Sequence, residues 1–178
     1  SNITMDRVTI KNNGQASAGG IGSNESYLNG GSGILLRDIR HDSNTYSESP
    51  NIIVKNSQIA DNYAYSSAAI LVMEGTLLLQ NSLVNHNFNY SGDTYRKAAI
   101  SISEKGNDEG DAGWGAGEAS ALFINCTFVN NSTQREIAIG SDGQLKFINS
   151  ILGGGGGGND DILLTGCGMD AFLNYAPD

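Results

Sequence analysis

Residues 68–87 read AAILVMEGTLLLQNSLVNHN, two short apolar runs on either side of Glu74-Gly75 that give way to asparagines at 81 and 87, where a core-forming run ought to continue. The phrase is not isolated. TIKNNG at Thr9, IVKNSQIADN at Ile53, LLQNSLVNHN at Leu78, FINCTFVNN at Phe123 and FINSILGGG at Phe147 repeat it, and FLNY at Phe172 is a degenerate sixth copy. Aligned on Asn12, Asn56, Asn81, Asn125, Asn149 and Asn174, the copies step by 44, 25, 44, 24 and 25 residues. A fixed period of this size marks a stacked repeat architecture.

Two positions before each asparagine stand Ile10, Val54, Leu79, Phe123, Phe147 and Phe172; four before stand Val8, Ile52, Leu77, Ala121 and Leu145, with Asp170 breaking the column. The positions between, Thr9, Ile53, Leu78, Leu122 and Lys146, are looser. Strict columns alternating with loose ones are the period of a strand with one face inward. Ile59, Val84, Phe128 and Leu152 mark a further inward position three residues after the asparagine. A second strand precedes each later copy, aligned on Ile34, Ile70, Ile100, Ile137 and Ile162, with Ser101 and Ser103 as water-facing positions.

Short strands, no helical period and a coil of about 24 residues predict an all-β chain folded as a parallel β-solenoid of five to six coils, each strand pairing with its equivalent one coil away. Long loop insertions fall only in the first and third turns. The asparagines then have a structural reading. Asn12, Asn56, Asn81, Asn125 and Asn149 form a ladder at a bend, because a side-chain amide can bond its copy on the next coil and asparagine tolerates left-handed backbone. Asn62, Asn87 and Asn131, replaced by Gly155, form a second file where positive φ is expected.

Composition bounds the function. The 178 residues include 24 Gly and only 2 Pro, and 10 basic residues face 19 acidic ones for a net charge of −9, which disfavours nucleic acid and anionic membranes. No run approaches the roughly 18 apolar residues of a membrane span, so no membrane insertion is expected. The chain is read as a single domain over 1–178. Strands that begin and stop so close to both termini suggest a segment of something longer, or a unit that associates end to end.

The coils resemble right-handed parallel β-helices of the pectate-lyase-like superfamily. GSGI at 31–34, SAAI at 67–70, KAAI at 97–100 and FVNN at 128–131 are similar to the GGAI and FxxN repeats of bacterial polymorphic outer-membrane proteins and autotransporter-type adhesins. The resemblance implies an extracellular or bacterial cell-surface structural module, adhesin-like or fibre-forming, with a polysaccharide or glycan as its expected partner. The superfamily's polysaccharide lyases and glycoside hydrolases are the alternative. Neither a WIDH-like segment nor an Arg-Pro-rich motif nor a Gly-His-Gly is present, so no catalytic residue is carried over and the reading leans away from an enzyme.

A ligand site is expected where the insertions 39–51 and 105–120 leave the same corner and rise on either side of Glu74-Gly75. Tyr46 and Trp114 are the aromatics of these walls, and either could stack on a sugar ring. Asp38, Glu74 and Glu104 align on successive coils there, and repulsion between stacked carboxylates is relieved by a hard cation. Glu104, Asp108 and Asp111, with Glu109 beside them, are the calcium candidates; arginines 37, 40 and 96 could neutralise the column instead, and no other cofactor is implied. His41 and His86 read as solvated turn residues. Cys126 and Cys167 stand two coils apart, too far for a disulfide.

Overall fold

The computed structural model describes residues 2–14, 33–36, 50–64, 69–72, 74–89, 98–102, 119–131, 135–139, 143–153, 162–164 and 172–173. Among these residues every regular element is a strand, and every strand pairing is parallel. The first sheet stacks β1 (Asn2–Asp6), β4 (Asn51–Lys55), β8 (Gly75–Gln80), β12 (Ala119–Ile124), β15 (Gly143–Ile148) and β18 (Phe172–Leu173). The second stacks β2 (Thr9–Lys11), β5 (Gln58–Ala60), β9 (Leu83–Asn85), β13 (Thr127–Val129) and β16 (Ile151–Gly153). The third stacks β3 (Ile34–Leu36), β7 (Ile70–Val72), β11 (Ala98–Ile102), β14 (Arg135–Ile139) and β17 (Ile162–Leu164), and β6 (Tyr63–Ala64) pairs with β10 (Phe88–Asn89). No strand pairs with its neighbour in sequence. Each pairs with its equivalent one repeat away, an arrangement consistent with a β-solenoid.

The alternation read from the sequence is the alternation of burial. In β8, Leu77 and Leu79 have no exposed surface while Thr76 is exposed and Leu78 half-buried; β12 repeats this with Ala121 and Phe123 inside. Parallel register keeps like above like: Val54 pairs with Leu79, Leu79 with Phe123 and Phe123 with Phe147. The isoleucine file holds as well, Ile34, Ile70, Ile100, Ile137 and Ile162 pairing in turn. Three of the inward positions in the fourth and fifth repeats are aromatic. The Phe123 ring lies 5.0 Å from Phe128 and 5.4 Å, edge-on, from Phe147. Such contacts add to the area burial of three large apolar side chains.

Three expectations need correction. The first repeat is out by one strand: β1 pairs with β4, Asn2 opposite Asn51 through Asp6 opposite Lys55, so Met5 and not Ile10 stands above Val54. TIK at Thr9–Lys11 pairs instead with Gln58–Ala60, which carries Asn12 to the next corner. Hydrogen bonding decides this, because the Arg7 N–H reaches Lys55 O at 3.1 Å and thereby takes the place expected for Asn12. In the last copy Leu173, not Phe172, pairs with Phe147; a slip of one residue exchanges the two faces of a strand. Ser101, expected to face water, is buried in the middle of β11 between Leu71 and Ala138.

The register separates core from surface within one sheet. Phe123→Ala should cost about 3–5 kcal/mol of unfolding free energy, the usual range for a buried phenylalanine. Leu78→Ala, on the outward row, should cost well under half of that. Chemical denaturation of both variants measures the difference, and equal losses would contradict the register.

Candidate functional site

Of the side chains expected to form the ligand site, Glu74 is the one within the described residues. Tyr46, Trp114, Asp38, Glu104, Asp108 and Asp111 lie outside the described residues, so the structure does not bring the expected set together. Glu74 is half-buried and precedes Gly75, whose φ of +96° and close approach to Pro50 fix the turn into β8. A Cβ at Gly75 would stand 2.1 Å from Pro50 O, which already accepts the Thr76 N–H at 2.9 Å. Among the described residues no three His, Cys, Asp or Glu side chains gather where they could hold a metal ion.

The corner between the first and second sheets is described in five successive repeats. Arg7, Asn56, Asn81, Asn125 and Asn149 occupy it with φ between 48° and 56°, the left-handed region that lets the chain leave one sheet and enter the other. Their side chains are exposed. The Asn149 amide donates to Asn125 Oδ1 at 2.8 Å, Asn125 to Asn81 at 3.1 Å, Asn81 to Asn56 at 3.2 Å, and Asn56 to the Asp6 carboxylate at 2.8 Å. Asn12 takes no part in this file; it stands at the next corner with φ 57°.

Directly behind this outer ladder runs a column that the sequence displays openly, since Ser57, Ser82, Cys126 and Ser150 each follow a ladder asparagine. Each side chain donates back to the carbonyl two residues earlier: Ser82 Oγ to Gln80 O at 2.8 Å, Ser150 Oγ to Ile148 O at 3.0 Å, and Cys126 Sγ to Ile124 O at 3.3 Å. Each accepts a backbone N–H from the preceding repeat, as Ser57 N–H to Ser82 Oγ at 3.1 Å and Cys126 N–H to Ser150 Oγ at 3.0 Å illustrate. Cys126 is therefore a serine-like link. Burial pushes its thiol above the ordinary value of 9.0, outweighing the backbone hydrogen bonds at Ser82 and Ile124 that oppose the shift.

A second ladder closes the far end of the second sheet, and it is interior. Asn62, Asn87 and Asn131 have no exposed surface. Asn62 Oδ1 accepts both the N–H and the side-chain amide of Asn13, each at 3.1 Å; Asn87 Oδ1 accepts the same pair from Asn62; Asn131 Oδ1 accepts it from Asn87 at 2.9 and 2.8 Å. The spare amide protons reach the backbone carbonyls of Ile10, Ile59 and Val84. Asn131 ends the file by donating to the buried carboxylate of Glu136 at 2.5 Å. Left-handed backbone was expected at these three asparagines; it belongs instead to the residue before each, Asp61, His86 and Asn130, because the inward amide needs an extended residue behind the bend. His86 is exposed and its Nδ1 meets the Asn85 amide at 2.6 Å, as a turn residue would.

In front of the outer ladder lies an open groove of about 740 Å³. It is lined by Asn56, Asn81 and Asn125 of the ladder, by Thr9, Gln58, Leu83 and Thr127 at the starts of the second-sheet strands, and by Arg7, the one charged residue among the described lining residues. The serine column and the roles of Asp6, Arg7 and Glu136 were not anticipated, although the residue after each ladder asparagine was a sufficient signal for the serines. No protein-family model, curated protein or solved structure matches the chain.

The two ladders differ in what their loss exposes. Asn87→Ala leaves the N–H and amide of Asn62, the Ile59 carbonyl and the Asn131 amide oxygen without this partner, at about 1–3 kcal/mol for each buried group, so a loss of several kcal/mol is expected. Asn81→Ala, on the wet ladder, should cost about 1 kcal/mol. Equilibrium unfolding of the two variants checks the contrast.

Cys126→Ser should change stability by less than about 1 kcal/mol, since serine already fills this column in three other repeats. The thiol's raised folded value fixes the sign of the alkaline response. Its contribution to stability is full below the unfolded value of 9.0 and is lost as pH rises from there through the higher folded value, so over that interval the melting temperature of the parent should fall faster than that of Cys126→Ser.

Proposed function

We propose that this chain is an extracellular or cell-surface structural module, a single right-handed parallel β-helix of five to six coils of roughly 24 residues that presents a periodic surface to glycans. The observation that carries this reading is the continuity of the exposed outer ladder, in which the same amide faces water at the same corner of successive repeats from Asn56 to Asn149. A rigid array of equivalent polar groups suits repeated weak contacts with a repeating polymer, where affinity accumulates through multivalency. The same reading assigns Tyr46 and Trp114 to stacking on a sugar ring, with Asp38, Glu74 and Glu104 beside them, and calcium to Glu104, Asp108 and Asp111. Self-association end to end belongs to the same proposal.

The purified chain should be retarded by polysaccharide in native gels and should leave that polysaccharide's chain length unchanged. Reproducible cleavage would replace the proposal by a lyase or hydrolase. Added calcium should raise the melting temperature of the parent and not of Glu74→Gln; an equal rise in both removes Glu74 from the calcium reading.

A further inference from the structure

We infer that the early edge of the stack, formed by β1 and β2, is a docking surface for a strand–bend–strand segment of a partner polypeptide that carries an inward asparagine. This inference stands apart from the glycan reading. Among the described residues β1 ends the first sheet and β2 ends the second, so each has one edge without a paired strand. Their inward row is incompletely covered. Ile52, Val54 and Ile59 are buried, whereas Ile3, Met5 and Ile10, which pair with them one repeat earlier, keep part of their surface exposed, 46% in Ile3. The third sheet differs, because its last strand β3 has Ile34 and Leu36 already buried. What fits this edge is a strand for the first sheet, a bend and a strand for the second, rather than a whole coil.

Hydrogen-bond polarity selects the occupant. Each later inward asparagine makes two kinds of contact with the repeat before it: Asn62 Oδ1 accepts the N–H and amide of Asn13 while its own amide also reaches the Ile10 carbonyl, and Asn87 treats Asn62 and Ile59 in the same way. Asn13 is exposed, and its Oδ1 and second amide proton have no partner among the described residues. The matching segment supplies an asparagine N–H and amide to that Oδ1, and the carbonyl three residues earlier to that proton. Main-chain bonds to the edge add affinity, as in other strand additions. Thr76 N–H bonds back to Pro50 O and Arg7 N–H forward to Lys55 O, so alternation along the strand turns the Thr4 N–H outward from the stack. A second copy does not meet these demands. A two-fold that laid β1 on its copy would set them antiparallel and carry the copy's β2 away from Asn13. At the other end of the file Glu136 accepts the last amide, and the fifth repeat has Gly155 at the aligned position. The partner is instead a chain with the spacing of Leu77, Leu79, Asn81, Val84 and Asn87.

Fluorescence anisotropy of a labelled peptide with the sequence of residues 74–89, EGTLLLQNSLVNHNFN, tests this on the whole chain. The expected result is saturable binding, weakened about fivefold by Asn87→Ala in the peptide, the worth of one hydrogen bond of ordinary strength. Leu79→Asp in the peptide, which sets a charge on the inward row above Met5, should abolish binding. Both changes are in the peptide and leave the folding of the chain untouched. In the chain, Thr4→Pro removes an outward N–H and keeps the bonds to β4, a substitution that edge strands accept, so binding should be lost while the melting temperature stays the same. Equal binding of the Asn87→Ala peptide overturns the asparagine signature of the partner. No binding of the parent peptide, or full binding to a folded Thr4→Pro chain, overturns the site. A chain that sediments as a dimer and becomes monomeric on Thr4→Pro makes a second copy the occupant and overturns the partner assigned here.

Discussion

The amide file that runs from exposed Asn13 through buried Asn62, Asn87 and Asn131 is the constraint around which the rest is arranged. Parallel pairing satisfies the backbone within the sheets, but at each corner the chain turns away from its neighbour and leaves carbonyls facing the interior. A buried unpaired carbonyl costs about 1–3 kcal/mol, and the cost recurs at every repeat. One asparagine per repeat removes it: the side-chain amide takes the Ile10, Ile59 or Val84 carbonyl and still has a proton for the next asparagine. No apolar residue could fill this position, and serine is too short to reach both partners.

The two ladders run in opposite senses. Amide donors point toward the later repeats in the inner file, ending on Glu136, and toward the earlier repeats in the outer file, ending on Asp6. A file of donors needs a last acceptor. A carboxyl oxygen supplies one. The opposed senses also set the aligned amide dipoles of one file against those of the other. At the outer corner the ladder and the left-handed backbone are one device, whereas at the inner corner they are divided between adjacent residues. That division explains why Asn12, Asp61, His86 and Asn130 differ so freely: only their backbone conformation is needed, and their side chains reach solvent.

Most of this was legible because stacking makes equivalent positions chemically alike. The columns through Val54, Leu79, Phe123 and Phe147, and through Ile59, Val84, Phe128 and Leu152, follow from burial acting on the same face in every repeat. The first repeat misled for a physical reason. Its strand NITMD, at the end of the stack, is largely exposed and carries little of the apolar signature, while Arg7 stands where later repeats have asparagine. Alignment by residue type therefore seized on Asn12. Glu136 was invisible for the opposite reason: a ladder terminator occurs once, and a feature that occurs once leaves no column. The same holds for the insertions, where Tyr46 and Trp114 are single occurrences.

Repetition also limits what chemistry the stack can host. Acid–base catalysis needs unlike groups converging on one point, with environments that push their titration apart. A file in register places like beside like at about 4.8 Å along a line, and any ionisable residue repeated in it would repel its own copies. Asparagine and serine escape this penalty because they are neutral and each both donates and accepts, so a ladder of them gains from every added repeat. The surface that results is a periodic array of neutral hydrogen-bonding groups. Convergent chemistry, where a chain of this kind has it, must be carried by residues that break the period, which places it in the insertions or at the ladder ends and not along the regular corners.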